Sequence, residues 1–211
     1  MKIKKLGHCC LVIEVNGKRV MTDPGSFSTD QKDETNIDLI LYTHEHQDHY
    51  HLETLKEVLK NNPNAKIITN TAVGKLLGGA GIEFTKVEDG EVFDFSGVQI
   101  KGFGNLHAEI YETYGQVQNT GYMIDGLCFP GDAFEDPKSQ IDVLALPITG
   151  PWMRIKDAID YAKMLKPRVV FPVHDAHIKD WAEFIYRVPE SILKEYNIQF
   201  KKLELGKEEN L

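Results

Sequence analysis

The chain has 211 residues, of which 42% are hydrophobic and 27% are charged. These values are typical of one soluble globular domain, so we predict a single domain over residues 1–211. A formal net charge of −8 argues against a surface that binds nucleic-acid phosphates, and no apolar run approaches the roughly 18 residues that a membrane span requires.

The cysteine usage indicates a reducing environment. Cys9, Cys10 and Cys128 are an odd number with no CxxC spacing, which fits the cytoplasm better than a disulfide framework. We expect each thiol to be buried as a small hydrophobic side chain. The opening residues MKIKKLGHCCLVIEV superficially resemble a signal peptide, but Glu14 interrupts their short apolar part, so CCLVIEV is predicted to form a strand.

One pattern occurs twice along the chain. In the first half, CLVIEV-NG-KRVMTDPG predicts two strands joined by an Asn-Gly turn and ending at Asp23. In the second half, TGYMI-DG-LCFPGD predicts two strands joined by an Asp-Gly turn and ending at Asp132. Both dipeptides readily adopt the positive φ angles that tight hairpins need.

The repeat continues after each hairpin with an apolar strand, a helix that has one apolar face, and a second strand. The predicted elements of the two halves are strands 36–43 and 140–149, helices 51–62 and 154–166, and strands 64–71 and 166–175. A final helix over 179–187 and a strand near 199–205 complete the chain.

Two such halves predict an α/β protein, a pseudo-symmetric sandwich of sheets with helices outside. In this architecture the strand ends meet at one shared edge, where functional residues usually lie. The residues that this arrangement would bring together are Asp23, His44 to His49, Asp132, Pro147 to Trp152 and His174.

The stretch LILYTHEHQDHY concentrates three of the chain's eight histidines, together with two carboxylates, between His44 and His49. Imidazole nitrogens and carboxylate oxygens are ligands that zinc accepts. In an extended turn His44 and His46 point the same way and could share one metal, while Asp48 and His49 could serve a second. A solvated polar turn is the alternative, but crowded imidazoles repel one another once protonated, so a metal site is favoured.

The segment THEHQDH resembles the HxHxDH signature of the metallo-β-lactamase superfamily. Further elements of that family occur in the same order over essentially the whole chain: Asp23 in MTDPG, His107 in GNLHAEI, Asp132 in PGDA and His174 in PVHD. GHCCLVIE and PITGPWM look closest to the stand-alone, ascorbate-phosphate-lactonase-like metal-dependent hydrolases. The resemblance implies a four-layer αβ/βα sandwich.

The same resemblance implies a dinuclear metal site. One divalent ion would be held by His44, His46 and His107, and a second by Asp48, His49 and His174, with Asp132 between them. Zinc is expected first, although Mn or Fe could occupy such ligands.

Two metals about 3.5–4 Å apart that share a water generate hydroxide at neutral pH. That hydroxide would attack a small ester, lactone or phosphoester. Asp48 and Asp132 would be the catalytic carboxylates, and Asp48 would also orient the nucleophile.

Several neighbouring residues have open roles. Asp23 is expected to bond to a ligand or to the backbone of the metal loop, against a plain turn-forming role. His8 is either a substrate or ligand contact or a structural histidine, and Trp152 is either a wall of the pocket or part of the core.

His51 is expected to face solvent or to cap the helix start. His177 could support a ligand, but a surface position is favoured. Tyr111 and Tyr114, in a loop rich in polar residues, could donate to an oxyanion or a phosphate, although a role without substrate contact is favoured.

Three other functions are compatible with parts of the pattern. A nuclease of the same fold would normally carry an RNA-gripping arm or a basic run, and neither is visible. Redox di-iron relatives usually have Glu where this chain has His46, and no length remains for a flavin domain. A non-catalytic metal-binding module is the third alternative, but no ligand is missing. The expected partner is therefore a small-molecule substrate, and the oligomeric state stays open.

Overall fold

Two seven-stranded β-sheets form the centre of the computed structural model, which describes residues 1–211. The first sheet contains, in spatial order, β14 (Glu208–Asn210), β1 (Lys2–Lys5), β2 (Leu11–Val15), β3 (Lys18–Thr22), β4 (Leu39–Leu41), β5 (Lys66–Thr69) and β6 (Thr85–Lys86). The second contains β7 (Val92–Phe95), β8 (Val98–Phe103), β9 (Gly121–Ile124), β10 (Leu127–Phe129), β11 (Val143–Pro147), β12 (Val169–Val173) and β13 (Gln199–Phe200).

The two sheets repeat one pairing scheme. In the order given, the first three pairings of each sheet are antiparallel and the last three are parallel. The hairpin β2–β3 therefore corresponds to β9–β10, and β1 corresponds to β8. The predicted pseudo-symmetric halves are confirmed.

Four helices connect the parallel strands of the sheets, two in each half: α1 (Leu52–Asn61), α2 (Thr71–Gly79), α3 (Ile155–Leu165) and α4 (Phe184–Lys194). Side chains immediately before α1 and α2 cap their first turns. The His51 ring accepts a hydrogen bond from the Thr54 amide, and the Asn70 side chain accepts one from the Val73 amide. These caps satisfy amides that have no partner inside the helix.

Successive side chains of each strand point to opposite faces of its sheet, and together they form three apolar layers. In β4, Leu39 and Leu41 enter the core between the sheets, whereas Ile40 points toward α1 and α2. In β12, Phe171 lies between the sheets and Val170 packs toward α3 and α4. Because both faces of each sheet are covered, these strands are apolar throughout. The four-layer αβ/βα sandwich is confirmed.

Both hairpin turns form where predicted. Asn16 and Gly17 have φ angles of 49° and 73°, and Asp125 and Gly126 have 46° and 90°. The second residue of each pair is glycine, which adopts such angles without a side-chain clash.

The end of the chain differs from the prediction. The final helix exists, but the bounds predicted for it, 179–187, are wrong: Asp180–Ala182 forms only a short 3₁₀ turn, and the helix α4 begins at Phe184 and ends at Lys194. It continues through Pro189, whose ring is buried on the same face as Tyr186 and Leu193. Burial of this face outweighs the backbone hydrogen bond that proline removes.

Other strand predictions were too long or incomplete. Within CCLVIEV only Leu11–Val15 is a strand, and near 199–205 only Gln199–Phe200 pairs. The elements β1, α2, β6, β7, β8 and β14 were not predicted. The three cysteines are buried and free, as expected, and no helix combines the length and apolar character needed to cross a membrane.

Replacement of a core phenylalanine tests the inner layer. Phe171→Ala should lower the free energy of unfolding by about 3–5 kcal/mol, since it leaves a cavity between the sheets. Phe184→Ala is the matched control, because Phe184 is 54% exposed and its loss should change stability by less than about 0.5 kcal/mol. Urea denaturation measures both values, and equal effects would contradict this packing.

Candidate metal centre

Strands of both sheets deliver polar side chains to one edge of the sandwich. The residues that follow the carboxyl ends of these strands are His8 after β1, Asp23 after β3, His44 after β4, His107 after β8, Asp132 after β10 and His174 after β12. The strands β1, β3 and β4 run in one direction because β1 and β3 each pair antiparallel with β2, and β4 pairs parallel with β3. The topology therefore assembles the site from segments that are far apart in sequence.

A first group consists of His44, His46 and His107. One nitrogen of each ring lies within 4.8 Å of the others, and the ring centroids are 4.7–5.1 Å apart. His44 and His107 are buried, whereas His46 is partly exposed. Zinc ligands about 2.0–2.2 Å from the ion in a tetrahedral site lie about 3.3–3.6 Å from one another. Nitrogens within 4.8 Å of one another therefore need only small side-chain movements to share a cation.

A second group consists of Asp48, His49 and His174, joined by His8. Oδ2 of Asp48 lies 3.7 Å from Nε2 of His49 and 3.5 Å from Nε2 of His174. The structure thus brings Asp48 and His49 of the THEHQDH segment to the distant His174.

Asp132 lies between the two groups. Its Oδ2 is 3.4 Å from Nε2 of His107 and 2.9 Å from Nε2 of His174, and its Oδ1 is 3.2 Å from Nε2 of His49. One buried carboxylate therefore contacts histidines of both groups. All seven residues that the family resemblance implied as ligands lie in one cluster.

Hydrogen bonds behind the rings determine which nitrogen faces the centre. Nδ1 of His107 donates to the Ala108 carbonyl at 2.6 Å. Nδ1 of His44 donates to the Thr43 hydroxyl at 3.0 Å, because that hydroxyl already donates its proton to Asp23 at 2.7 Å. A neutral imidazole protonated at Nδ1 has a lone pair on Nε2, so these rings present acceptors to the centre.

Asp23 accepts the hydrogen bonds of both Thr43 and His49 on the outer side of the site. Its Oδ1 accepts from the Thr43 amide, and its Oδ2 accepts from Nδ1 of His49 at 2.7 Å as well as from the Thr43 hydroxyl. Asp23 itself has a φ of 36°, an uncommon angle for a residue with a side chain. This geometry matches the expected contact with a ligand histidine and with the loop backbone.

Gly25 allows its own segment to pack closely against the backbone of Asp48. A Cβ atom at this position would lie 1.9 Å from the Asp48 carbonyl oxygen, so only glycine allows the two backbones to approach this closely. The MTDPG segment therefore supports the THEHQDH segment through both Asp23 and Gly25.

Several buried polar atoms of the cluster residues have no hydrogen-bond partner. They are Nε2 of His44, His49, His107 and His174, Nδ1 of His174, and Oδ1 of Asp132. Unpaired buried polar atoms are costly, and a cluster of them requires a physical explanation. Lone pairs that converge in this way suit a cation.

The electrostatics of the cluster also favour positive charge. Burial lowers the pKa of His44 well below its usual 6.5, so this ring is neutral at pH 7. Burial opposes protonation of His174 too, but Asp132 and Asp48 outweigh it and raise its pKa to about 9. The carboxylates create a negative potential at the centre that attracts cations.

The indole of Trp152 completes the surroundings of Asp132. Its Nε1 donates to Oδ2 of Asp132 at 2.8 Å, and its ring lies close to the rings of His107 and His174. The Asp132 amide donates to Oδ1 of Asn119 at 3.0 Å. Trp152 is therefore buried against the site rather than in the general core.

The remaining candidates lie further out. His51 caps α1, and Tyr111 and Tyr114 are 71% and 74% exposed. His177 is exposed, but its Nε2 contacts the Thr149 hydroxyl, and its ring lies 6.1 Å from that of His174.

The sequence predicted no role for Thr43 or Asn119. The position of Thr43 directly before the histidine-rich segment was the available signal, whereas Asn119 had none.

Comparisons with known proteins identify the family of the chain. The profile of the β-lactamase superfamily domain matches residues 2–174. Protein Rv0786c of Mycobacterium tuberculosis is 32% identical over 192 residues, which cover 88% of this chain and 89% of that protein. A UPF0173 metal-dependent hydrolase of Anoxybacillus flavithermus is 33% identical over 196 residues, covering 82% of this chain and 85% of that protein.

Solved structures share the fold over the whole chain. Igni18, a metallo hydrolase from the archaeon Ignicoccus hospitalis, superimposes with a TM-score of 0.78 at 23% identity, covering 100% of this chain and 98% of its own. The metallo-β-lactamase fold protein YhfI from Bacillus subtilis gives a TM-score of 0.73 at 12% identity, covering 99% and 98%. The chain therefore belongs to the metallo-β-lactamase superfamily.

Proposed function

We propose that the protein is a metal-dependent hydrolase with a dinuclear centre that cleaves a small ester, lactone or phosphoester. His44, His46 and His107 bind one divalent cation, Asp48, His49 and His174 bind the second, and Asp132 lies between them. Zinc is the first candidate, because imidazoles dominate the ligand set and zinc accepts both nitrogen and carboxylate oxygen.

The observation that carries this proposal is the convergence of unpartnered Nε2 atoms on Asp132. Behind three of these rings Nδ1 donates to a backbone carbonyl, a hydroxyl or a carboxylate. Such outer bonds are the usual support of metal-binding histidines, because they fix the tautomer and the ring orientation. A purely structural cluster would pair every inward-facing nitrogen, whereas Nε2 of His44 has no partner and lies 4.0 Å from Oδ2 of Asp132.

When bound, such cations would make a nucleophile available from water at neutral pH and would stabilise negative charge that develops on a carbonyl or phosphoryl oxygen. The protein's own groups then orient the reactants. Asp48 is 22% exposed at its side chain, so its carboxylate faces the open side of the centre and can accept a proton from the attacking water. Trp152 holds Asp132 in place by its N–H bond and covers that side of the centre.

The walls of the site support a small organic substrate. Phe27 is 53% exposed, and its ring meets the edge of His8 at 5.5 Å between centroids. On the His46 side, Ile110 packs beside Gly115, where an added Cβ would lie 4.0 Å from His46 Cε1. Apolar groups thus flank both ends of the cluster, as expected for an ester or lactone with apolar substituents. The net charge of −8 does not favour RNA.

We propose a cytoplasmic location on the basis of the thiols. All three cysteines are free and buried, which supports a reducing environment such as the cytoplasm.

Metal analysis and a substrate screen test the function. The purified protein should contain about two equivalents of divalent metal and turn over lactones, carboxylic esters or phosphodiesters in a metal-dependent manner. His46→Ala and Asp48→Ala should each remove a metal ligand and lower kcat/KM by more than about 100-fold, since loss of an outer-sphere contact alone costs 10–100-fold.

His51→Ala is the matched control, because it removes a histidine next to the same segment. It should retain both metals and activity and lose only about 1 kcal/mol of stability with the helix cap. Cleavage of RNA alone would instead support a nuclease. Two equivalents of metal without turnover of any compound would support a non-catalytic module, and absence of bound metal would refute the proposal.

The acceptor behind His49 gives a separate prediction. Asp23→Asn replaces one of two acceptor oxygens by an N–H₂ group: either Oδ1, which accepts from the Thr43 amide, or Oδ2, which accepts from the Thr43 hydroxyl and from Nδ1–H of His49. At least one donor therefore loses its acceptor. The affinity for Zn²⁺ should fall about 10–100-fold while the protein remains folded. Competition with a chelator measures the affinity. Asp142→Asn, at an exposed carboxylate paired with Arg168, should have no effect, and an equal affinity in both variants would contradict the role of Asp23.

A further inference from the structure

The pseudo-symmetry of the fold gives His107 a counterpart in His8. The strands β1 and β8 occupy equivalent positions in the two sheets, and each is followed within four residues by a buried histidine at the site. Both rings reach the centre, because Nε2 of His8 lies 3.1 Å from Oδ2 of Asp48. By distance alone His8 is a fourth donor beside Asp48, His49 and His174.

The group that faces Nδ1 distinguishes the two rings. Nδ1 of His107 faces the Ala108 carbonyl at 2.6 Å, so Nδ1 must donate and Nε2 keeps its lone pair. Nδ1 of His8 faces the Ala176 amide, which donates to it at 3.3 Å. An accepting Nδ1 has no proton, so the proton of the neutral His8 ring is on Nε2 and points at Asp48.

The opposite assignment creates a conflict. For His8 to bind a cation through Nε2, that nitrogen would need its lone pair and Nδ1 would carry the proton. The Nδ1–H of the buried His8 ring and the N–H of Ala176 would then face each other, and neither donor would have an acceptor in the protein.

The backbone holds His8 in this position as well. Its carbonyl accepts from the His174 amide at 2.9 Å, and its ring lies 4.0 Å from the His174 ring. His174 has a φ of 59°, so the residue that pairs with the His8 backbone is in an uncommon conformation. One fully buried residue therefore connects two proposed ligands of the second cation, Asp48 through its side chain and His174 through its main chain.

We propose that His8 is a positioning residue and not a metal ligand: its Nε2–H donates to Asp48 and fixes the orientation in which that carboxylate binds the second cation. This inference rests on the proposed dinuclear centre. The remaining lone pairs of Asp48 stay available to the cation, and the ring excludes water from the side of the carboxylate that it covers. The same sheet position thus supplies a ligand in one half of the fold and a support for a ligand in the other.

Two polar substitutions separate these roles. His8→Gln can place an amide N–H near the position of Nε2, so it keeps the donor to Asp48 without an imidazole lone pair. His8→Asn keeps an oxygen that can accept from Ala176, but it is too short to reach Asp48. His107→Gln provides the contrast, because there the same change removes a proposed ligand.

The experiment is a Co²⁺ titration of each metal-free protein, followed by the visible absorption of the bound ion and by competition with a chelator. In His8→Gln both equivalents should bind within about threefold of the wild type, with an unchanged spectrum. In His8→Asn the second equivalent should bind about 10–100-fold more weakly, again with an unchanged spectrum. His107→Gln should alter the spectrum, because the number of nitrogen ligands falls.

Other results would overturn the inference. A changed spectrum in His8→Gln would identify His8 as a ligand, whereas equal weakening in the Gln and Asn variants would exclude the hydrogen bond as the cause. Unchanged binding in His8→Asn would show that Asp48 needs no support. If the wild type bound no Co²⁺, the proposed function would fail together with this inference. Each of the other three results would contradict the role of His8 but would leave the proposed function intact.

Discussion

The site depends on the hydrogen bonds that its histidine rings make on the side away from the centre. A neutral imidazole has one N–H and one lone pair, so the partner of Nδ1 decides what Nε2 can do. Behind His44, His49 and His107 this partner is an acceptor, namely the Thr43 hydroxyl, Asp23 and the Ala108 carbonyl. The lone pairs then converge on a buried carboxylate in a negative potential. Without these outer hydrogen bonds the rings could turn or change tautomer, and the cluster would lose its affinity for cations.

The duplicated architecture allows equivalent positions to take different roles. Asp23 and Asp132 each follow the second strand of a hairpin in their half, yet Asp23 faces backward to Thr43 and His49, whereas Asp132 faces the centre. His8 and His107 differ in the same way. In each pair the backbone or hydroxyl groups nearby determine the role, not the residue type. The two sheets supply a shared edge, and local hydrogen bonds assign the chemistry at that edge.

The sequence predicted the repeated elements well because their signals are local. The Asn16-Gly17 turn, the apolar face of α1 and the buried strand before His44 each follow from patterns within a few residues. The helix near the end was misplaced, because its register depends on how Tyr186, Pro189 and Leu193 pack against the second sheet. The strands β1 and β14 escaped prediction for a similar reason: the polar β14 (Glu208–Asn210) has no apolar alternation and pairs only because β1 offers a free edge.

Residue types and their order predicted the sandwich architecture and the relationship to the metallo-β-lactamase superfamily, and that resemblance implied seven candidate ligands. The architecture and the family are confirmed, because donors spaced as in THEHQDH are rare and are recognisable within a short window, whereas the ligand set stays a prediction. Only the folded molecule shows that Trp152 donates to Asp132, that Asn119 supports the same loop, and that His8 presents a proton and not a lone pair. These assignments depend on which backbone group faces a side chain across tens of residues, and that contact exists only once both sheets have closed around the site.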